Sequence, residues 1–354
     1  MPVVEKLTGR TAVVNGKKLL YFCGTSYLGM SHNPELSALV QEGASRYGLT
    51  YSNSRGSTLK LAIYDEAEAL LANWTGAEAA LTFSSGYLAG QALIQTLDKG
   101  QAFFYAPDTH PAIWRTAADV NYEKYEAWAE NLADRLAQSS GDIVIVSNSV
   151  DPLRARKYNF DWVKALPADK NITLVIDDSH GLGLCGTDGA GIYPELKQQV
   201  NSKISLIVVS SMGKALGIPA GVILGPAAIV ASLKKSPYFM GGSPAPPAYL
   251  YAFTHAQSMY EQARQQLWQN VKYFQGLVRH SDMFQYFDAY PVFYTNHQAL
   301  YSALENDALI SCFPYPDETS EAITRVVINS MHTTGDIDFL AEKISAYASK
   351  MRVV

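Results

Sequence analysis

Ile204-Ser205-Leu206-Ile207-Val208-Val209-Ser210-Ser211-Met212-Gly213-Lys214-Ala215-Leu216-Gly217 is an apolar run that ends abruptly in hydroxyls, glycine and one lysine. It is rich in β-branched residues and lacks a strict alternation of polar and apolar positions, which fits a strand covered on both faces in a parallel sheet. Ligands of such sheets bind beyond the carboxyl ends of the strands. A lysine placed there and partly desolvated favours its neutral amine and is suited to Schiff-base chemistry. Taken alone, the stretch is read more economically as a strand followed by an exposed loop lysine, because loop lysines are so common.

A second stretch reverses that balance. Asn171-Ile172-Thr173-Leu174-Val175-Ile176-Asp177-Asp178-Ser179-His180-Gly181-Leu182-Gly183 is another apolar strand pattern ending in polar groups, one strand earlier in the chain. Carboxylate and lysine then meet at the same sheet edge. Pyridoxal phosphate needs that pair: an amine to hold its aldehyde, and a carboxylate to keep the pyridine nitrogen protonated so that the ring can act as an electron sink. The motif Asp177-Asp178-Ser179-His180-Gly181 followed by Ser211-Met212-Gly213-Lys214-Ala215-Leu216-Gly217 resembles the α-oxoamine synthases, a branch of the fold-type I pyridoxal phosphate enzymes. The resemblance implies an α/β fold, with a mostly parallel central sheet, helices on both of its faces and a small α+β C-terminal domain. It also implies the condensation of an amino acid with an acyl-CoA to give an amino-ketone.

Composition limits the alternatives. A chain of 354 residues with 48% hydrophobic content can bury a large core. A net charge of −5 and the lack of a long Lys/Arg run argue against nucleic acid as a partner. Cys23, Cys185 and Cys312 are odd in number and far apart, which points to neither a disulfide framework nor a zinc site. No apolar run approaches the roughly 20 residues that span a bilayer, and Met1-Pro2-Val3-Val4-Glu5-Lys6 carries no signal-peptide core. The expectation is a cytoplasmic protein without a membrane partner.

Along the chain, Thr11-Ala12-Val13-Val14-Asn15-Gly16-Lys17-Lys18-Leu19-Leu20-Tyr21-Phe22 is a hairpin signal. The segment Cys23-Gly24-Thr25-Ser26-Tyr27-Leu28-Gly29 that follows resembles the family's entry loop, with Thr25 where Asn is usual. Helices are expected from Asn33 to Arg46 and from Leu59 to Thr75. Ala79 to Gly90 reads as a strand, a Ser-Ser-Gly turn and a helix start, a geometry that suits a phosphate. The resemblance places the cofactor phosphate on Ser85, Gly86 and Tyr87, with Ser211 contributing its hydroxyl. It places His110 on the face of the pyridine ring and His180 near the ring oxygen. Ser243 is expected to reach the phosphate of a neighbouring subunit, which implies a homodimer with shared active sites. A strand from Asp142 to Asp151 carries Asn148 where relatives have Glu, and Pro152 where their Ser-Met-Asp-Gly begins.

Further on, Ala220 to Gly225 should form an antiparallel strand, and Ala248 to His280 one long bridging helix. Gln285 to Tyr294 and Ala322 to Ser330 should be strands, with Ile337 to Met351 helical. The expected organisation is an N-terminal hairpin segment (1–30), a large cofactor domain with the bridging helix (31–280) and a small C-terminal domain (281–354). Arg325 sits in a β-prone run; by itself it reads as an edge-strand arginine in solvent, whereas the resemblance makes it the grip for a substrate carboxylate. Lys214, Asp177 and His110 are the expected catalytic residues. The expected reaction is acyl transfer with decarboxylation. Transamination or an aldol-type cleavage is the alternative, and a non-catalytic protein of the same fold is less favoured because Lys214, Asp177 and Arg325 are all present.

Overall fold

The structure is a computed structural model that describes residues 3–315 and 317–351. β1 (Val4–Leu7), β2 (Thr11–Val14) and β3 (Lys17–Phe22) form a meander, in which Asn15 and Gly16 turn the hairpin with φ of 51° and 71°. Then come α1 (Pro34–Tyr47), α2 (Ala62–Thr75), β4 (Ala79–Phe83), α3 (Gly86–Leu97), β5 (Ala102–Tyr105), α4 (Tyr125–Ala137), β6 (Ile143–Asn148), β7 (Val150–Asp151), β8 (Arg156–Lys157) and β9 (Ile172–Asp177). The chain continues through α5 (Tyr193–Lys197), β10 (Ile204–Ser211), β11 (Gly221–Gly225), α6 (Ala227–Leu233), α7 (Pro237–Gly241), α8 (Pro247–His255) and α9 (Gln257–Val278). It ends with β12 (Val292–Thr295), α10 (Ala299–Leu304), β13 (Ala308–Pro314), β14 (Ala322–Val327) and α11 (Thr334–Met351).

Two six-stranded sheets organise these elements. The central sheet has the order β4-β11-β10-β9-β6-β5, and β10, β9, β6 and β5 run parallel. β11 runs against both of its neighbours, as its sequence predicts. Leu206, Ile207, Val208 and Val209 are each at most 2% exposed. Leu206 and Val208 join one apolar core, while Ile207 and Val209 join the core on the opposite face, which explains why β10 shows no polar alternation. Each such side chain contributes about 1.5–3 kcal/mol of burial, so polar residues are tolerated only where the strand ends.

The second sheet has the order β1-β2-β3-β13-β14-β12. β3 pairs in parallel with β13, so the N-terminal meander joins the C-terminal sheet. Two expected elements differ. The helix expected from Ala248 to His280 is broken at Ala256 (φ −101°, ψ 14°) into α8 and α9. Next to the break, the Thr254 hydroxyl and the His255 ring both bond back to the Tyr251 carbonyl and compete with the helical backbone. The strand expected from Gln285 to Tyr294 shrinks to β12 plus an isolated bridge between Gln285 and Tyr294. Ala289 takes φ of 56° and Pro291 has no N–H to give, so the segment turns before it can pair. Among the described residues, no helix is long and apolar enough to cross a membrane, and no cluster of three or more His, Cys, Asp or Glu is placed to hold a metal.

Candidate active site

A cavity of about 210 Å³ opens at the carboxyl ends of β9, β10 and β6, and its far wall comes from the second sheet. Its lining includes Lys214, Asp177, His110, His180 and Arg325. β9 and β10 lie side by side in parallel register, with Asp177 opposite Val209, so the lysine motif leaves the sheet beside the carboxylate. Asp177 is 8% exposed and accepts the Ser179 N–H on Oδ1 at 2.9 Å, which orients it. Burial lowers the Lys214 pKa below the ordinary lysine value, Asp177 opposes that shift and Arg325 adds to it. The net shift moves the amine towards its neutral form, the form that attacks an aldehyde.

His110 follows β5 and its ring faces the cavity. Ala112 donates its N–H to His110 Nδ1 at 3.1 Å, which leaves the ring proton of the neutral form on Nε2. Desolvation lowers the His110 pKa, partly offset by Asp177, and Lys214 lowers it further. Asn148, at the end of β6, accepts the His110 N–H at 3.3 Å and donates to the Asp108 carbonyl at 2.7 Å. A deprotonated glutamate could accept the first bond but not donate the second, so the amide here clamps the loop that carries His110.

Arg325 is not an edge-strand residue in solvent. β14 lies between β13 and β12, and Arg325 is 7% exposed. Its Nη1 donates to the Pro152 carbonyl at 2.6 Å, its Cζ lies 5.5 Å from the centre of the Phe313 ring, and its buried Nε has no partner among the described residues. A buried guanidinium N–H left free on a cavity wall is a place for an anionic ligand. Pro152 belongs to the β7–β8 hairpin, which closes through Ala155 at φ 50° and is tied to the second sheet by the Gln285 amide, 2.8 Å from the Arg154 carbonyl.

The phosphate candidates form a neighbouring shelf. Ser85 is the N-cap of α3 and accepts the Leu88 N–H at 3.1 Å. A Cβ built on Gly86 would come within 2.6 Å of the Ser211 Cβ, so only glycine lets the start of α3 close onto the end of β10. Ser211 donates its N–H to the Ser179 hydroxyl at 2.9 Å and accepts the Gly213 N–H on its own hydroxyl. Tyr87 stands 57% exposed beside this shelf. Ser243 lies exposed between α7 and α8 and is not part of the cavity lining. The lining also includes Asp108, Asp151, Phe313 and Tyr315, which no local sequence pattern marks, together with Thr25, Asn148 and Pro152.

A profile of the family described as aminotransferase class I and II matches residues 17–344. This chain belongs to that family. It is 24% identical to the 8-amino-7-oxononanoate synthase of Thermosipho melanesiensis, over 99% of this chain and 94% of that one. A solved structure of SPT with PLP as internal aldimine superposes with a TM-score of 0.86 at 20% identity, covering 100% of this chain and 94% of that one. The 8-amino-7-oxononanoate synthase of Francisella tularensis superposes with a TM-score of 0.73 at 24% identity, covering 95% and 99%. The fold is that of the fold-type I enzymes, and the resemblance to the α-oxoamine synthases holds. As a class I and II family enzyme, the protein is a transferase-type enzyme that uses pyridoxal 5'-phosphate. The site fits that group: an amine whose pKa is lowered by burial, a carboxylate one strand away, and a helix N-terminus closed onto a serine.

Proposed function

We propose that the protein joins a small amino acid to an acyl-CoA, with loss of CO2, to give an amino-ketone. The observation that carries this reading is Arg325: a buried guanidinium whose Nε has no partner among the described residues, on the cavity wall shared with Lys214. When bound, pyridoxal phosphate supplies an aldehyde that captures the substrate amine and a ring that takes up the electrons released at the α-carbon. Asp177 would hold the positive pyridine nitrogen, and His110 would pack on the ring face. Ser85, Gly86, Tyr87 and Ser211 would hold the phosphate at the start of α3, and His180 would donate to the ring oxygen. Arg325 grips the amino-acid carboxylate. Lys214, released from the aldehyde, would take the α-proton and return it later. In the net reaction the α-carbon would gain a bond to the thioester carbonyl carbon as the CoA thiolate leaves, and would regain a proton from Lys214 where its bond to CO2 breaks. The names carried by the relatives support acyl transfer over other chemistry of the family.

We further propose a homodimer in which Ser243 reaches the partner's phosphate, with the chain divided at about residues 30 and 280. Transamination or an aldol-type cleavage is the second reading, favoured by Thr25, Asn148 and Pro152 on the cavity wall where relatives of the resemblance carry other residues. A panel of glycine, alanine and serine with short to long acyl-CoAs decides between them. Free thiol and CO2 released together, with no keto acid, support acyl transfer; keto acid with the cofactor left in its amine form overturns it in favour of transamination.

A further inference from the structure

His180 lines the cavity, but the group that orients it does not. Its Nδ1 lies 2.8 Å from the hydroxyl of Tyr27, a fully buried residue on the loop after β3. Such a bond can run in either direction, and accounting for each proton decides which. Burial raises the Tyr27 phenol above its ordinary value, so it keeps its proton. Burial first, then the charges of Lys214 and Arg325, hold the His180 ring neutral. If the imidazole donated from Nδ1, the phenol proton would need a second acceptor. The neighbouring hydroxyl is that of Tyr290, whose ring centre lies 6.3 Å away and which has no other acceptor among the described residues, so taking the Tyr27 proton would strand its own. An unpaired buried donor is costly. If instead the phenol donates to Nδ1, its oxygen is left to accept from Tyr290 and no proton is stranded.

We infer that Tyr27 is a positioning residue that locks His180 in the Nε2–H tautomer and so presents a fixed N–H donor to the cavity. His110 is set the same way by the Ala112 N–H on its Nδ1, so both imidazoles offer Nε2–H towards the bound cofactor. Without the phenol, His180 is free to exchange tautomers, and in the other form it turns a lone pair towards the acidic ring oxygen. The lock belongs to the fold rather than to the reaction, and it exists before any cofactor or substrate binds.

The test uses the full chain labelled with 15N in its seven histidine side chains and freed of cofactor, with His180→Gln assigning the signal. Long-range proton–nitrogen spectra should show His180 as Nε2–H between about pH 6 and 9. Tyr27→Phe should give a mixed or Nδ1–H pattern, and Tyr290→Phe should leave the wild-type pattern. With pyridoxal phosphate restored, Tyr27→Phe should raise the pH midpoint of the cofactor's visible band by about half a unit, and Tyr27→Phe added to His180→Gln should shift it no further. A wild-type Nδ1–H tautomer, with the Tyr27 proton turned to Tyr290, overturns the inference. So does a Tyr27→Phe protein with an unchanged His180. If Tyr27→Phe fails to fold, the wild-type tautomer and Tyr290→Phe still decide. Because these spectra need no cofactor, they stand or fall separately from the proposed acyl transfer.

Discussion

The two ends of the cavity are built by different means. At the Lys214 end, β9 and β10 pair residue for residue from Ile172/Ile204 to Asp177/Val209, and the functional groups ride on motifs that continue those strands. At the Arg325 end, a residue of β14 meets a carbonyl from the β7–β8 hairpin, with Phe313 of β13 beneath its guanidinium, and Gln285 anchors the hairpin from elsewhere in the chain. The first end is a continuous sheet edge, and the second is a set of single contacts between two sheets. The cofactor end is thus the rigid one, and the substrate end is the one that can change with few substitutions.

The strongest way to break this contrast is Lys214→Ala. It should abolish covalent attachment of the cofactor altogether, read as the mass gained after borohydride reduction; the same mass gain in the variant would remove Lys214 from its place at the rigid end.

The next effect sets one sheet against the other through pH. His332 is 2% exposed in the turn after β14, accepting the Asn329 N–H on Nδ1 and donating from Nε2 to the Tyr21 carbonyl, and burial lowers its pKa to about 4. Its contribution to folding is whole above the unfolded value of about 6.5 and is lost as pH falls towards 4, by about 3 kcal/mol. Asp178, beside Asp177, is 1% exposed and raised by burial to about 7, so its protonated carboxyl favours folding in acid and that contribution is lost as pH rises through 7. The two slopes oppose each other between pH 4 and 6.5. Asp178→Asn removes one of them, and its stability to urea should then climb more steeply than wild type's across that window. Parallel profiles would show that the two sheets are not set against each other in this way.

Smaller effects separate the anchors of the substrate end. Arg325→Ala should weaken binding of a small amino acid by about 1.5–3 kcal/mol, the worth of a charge-assisted contact, and Gln285→Ala by about 1 kcal/mol or less. Both are read from the cofactor spectrum as amino acid is added. Equal losses in the two variants would mean that the hairpin anchor matters as much as the grip, and that the substrate end is as rigid as the other.

What the sequence made legible follows the same division. The Lys214 and Asp177 strands and the Ser85 helix start could be read because each is a local pattern with one physical meaning. β13 with Phe313, the Pro152 carbonyl at Arg325 and the Tyr27 hydroxyl at His180 could not, because their partners lie far apart in the chain and no spacing rule joins them. The break at Ala256 has no local signature for another reason: neither proline nor glycine marks it, and the competing bonds come from Thr254 and His255, residues that helices otherwise accept.

The parallel pairing of Phe22 with Ile310 has a consequence for how the protein is made. During synthesis on a ribosome, the meander emerges well before its partner strand and waits for it while the residues between them are translated. Through that interval the open side of β3 is an unpaired strand edge, and its closure is a contact of very large sequence separation. Translation speed and chaperone supply would therefore act on this segment.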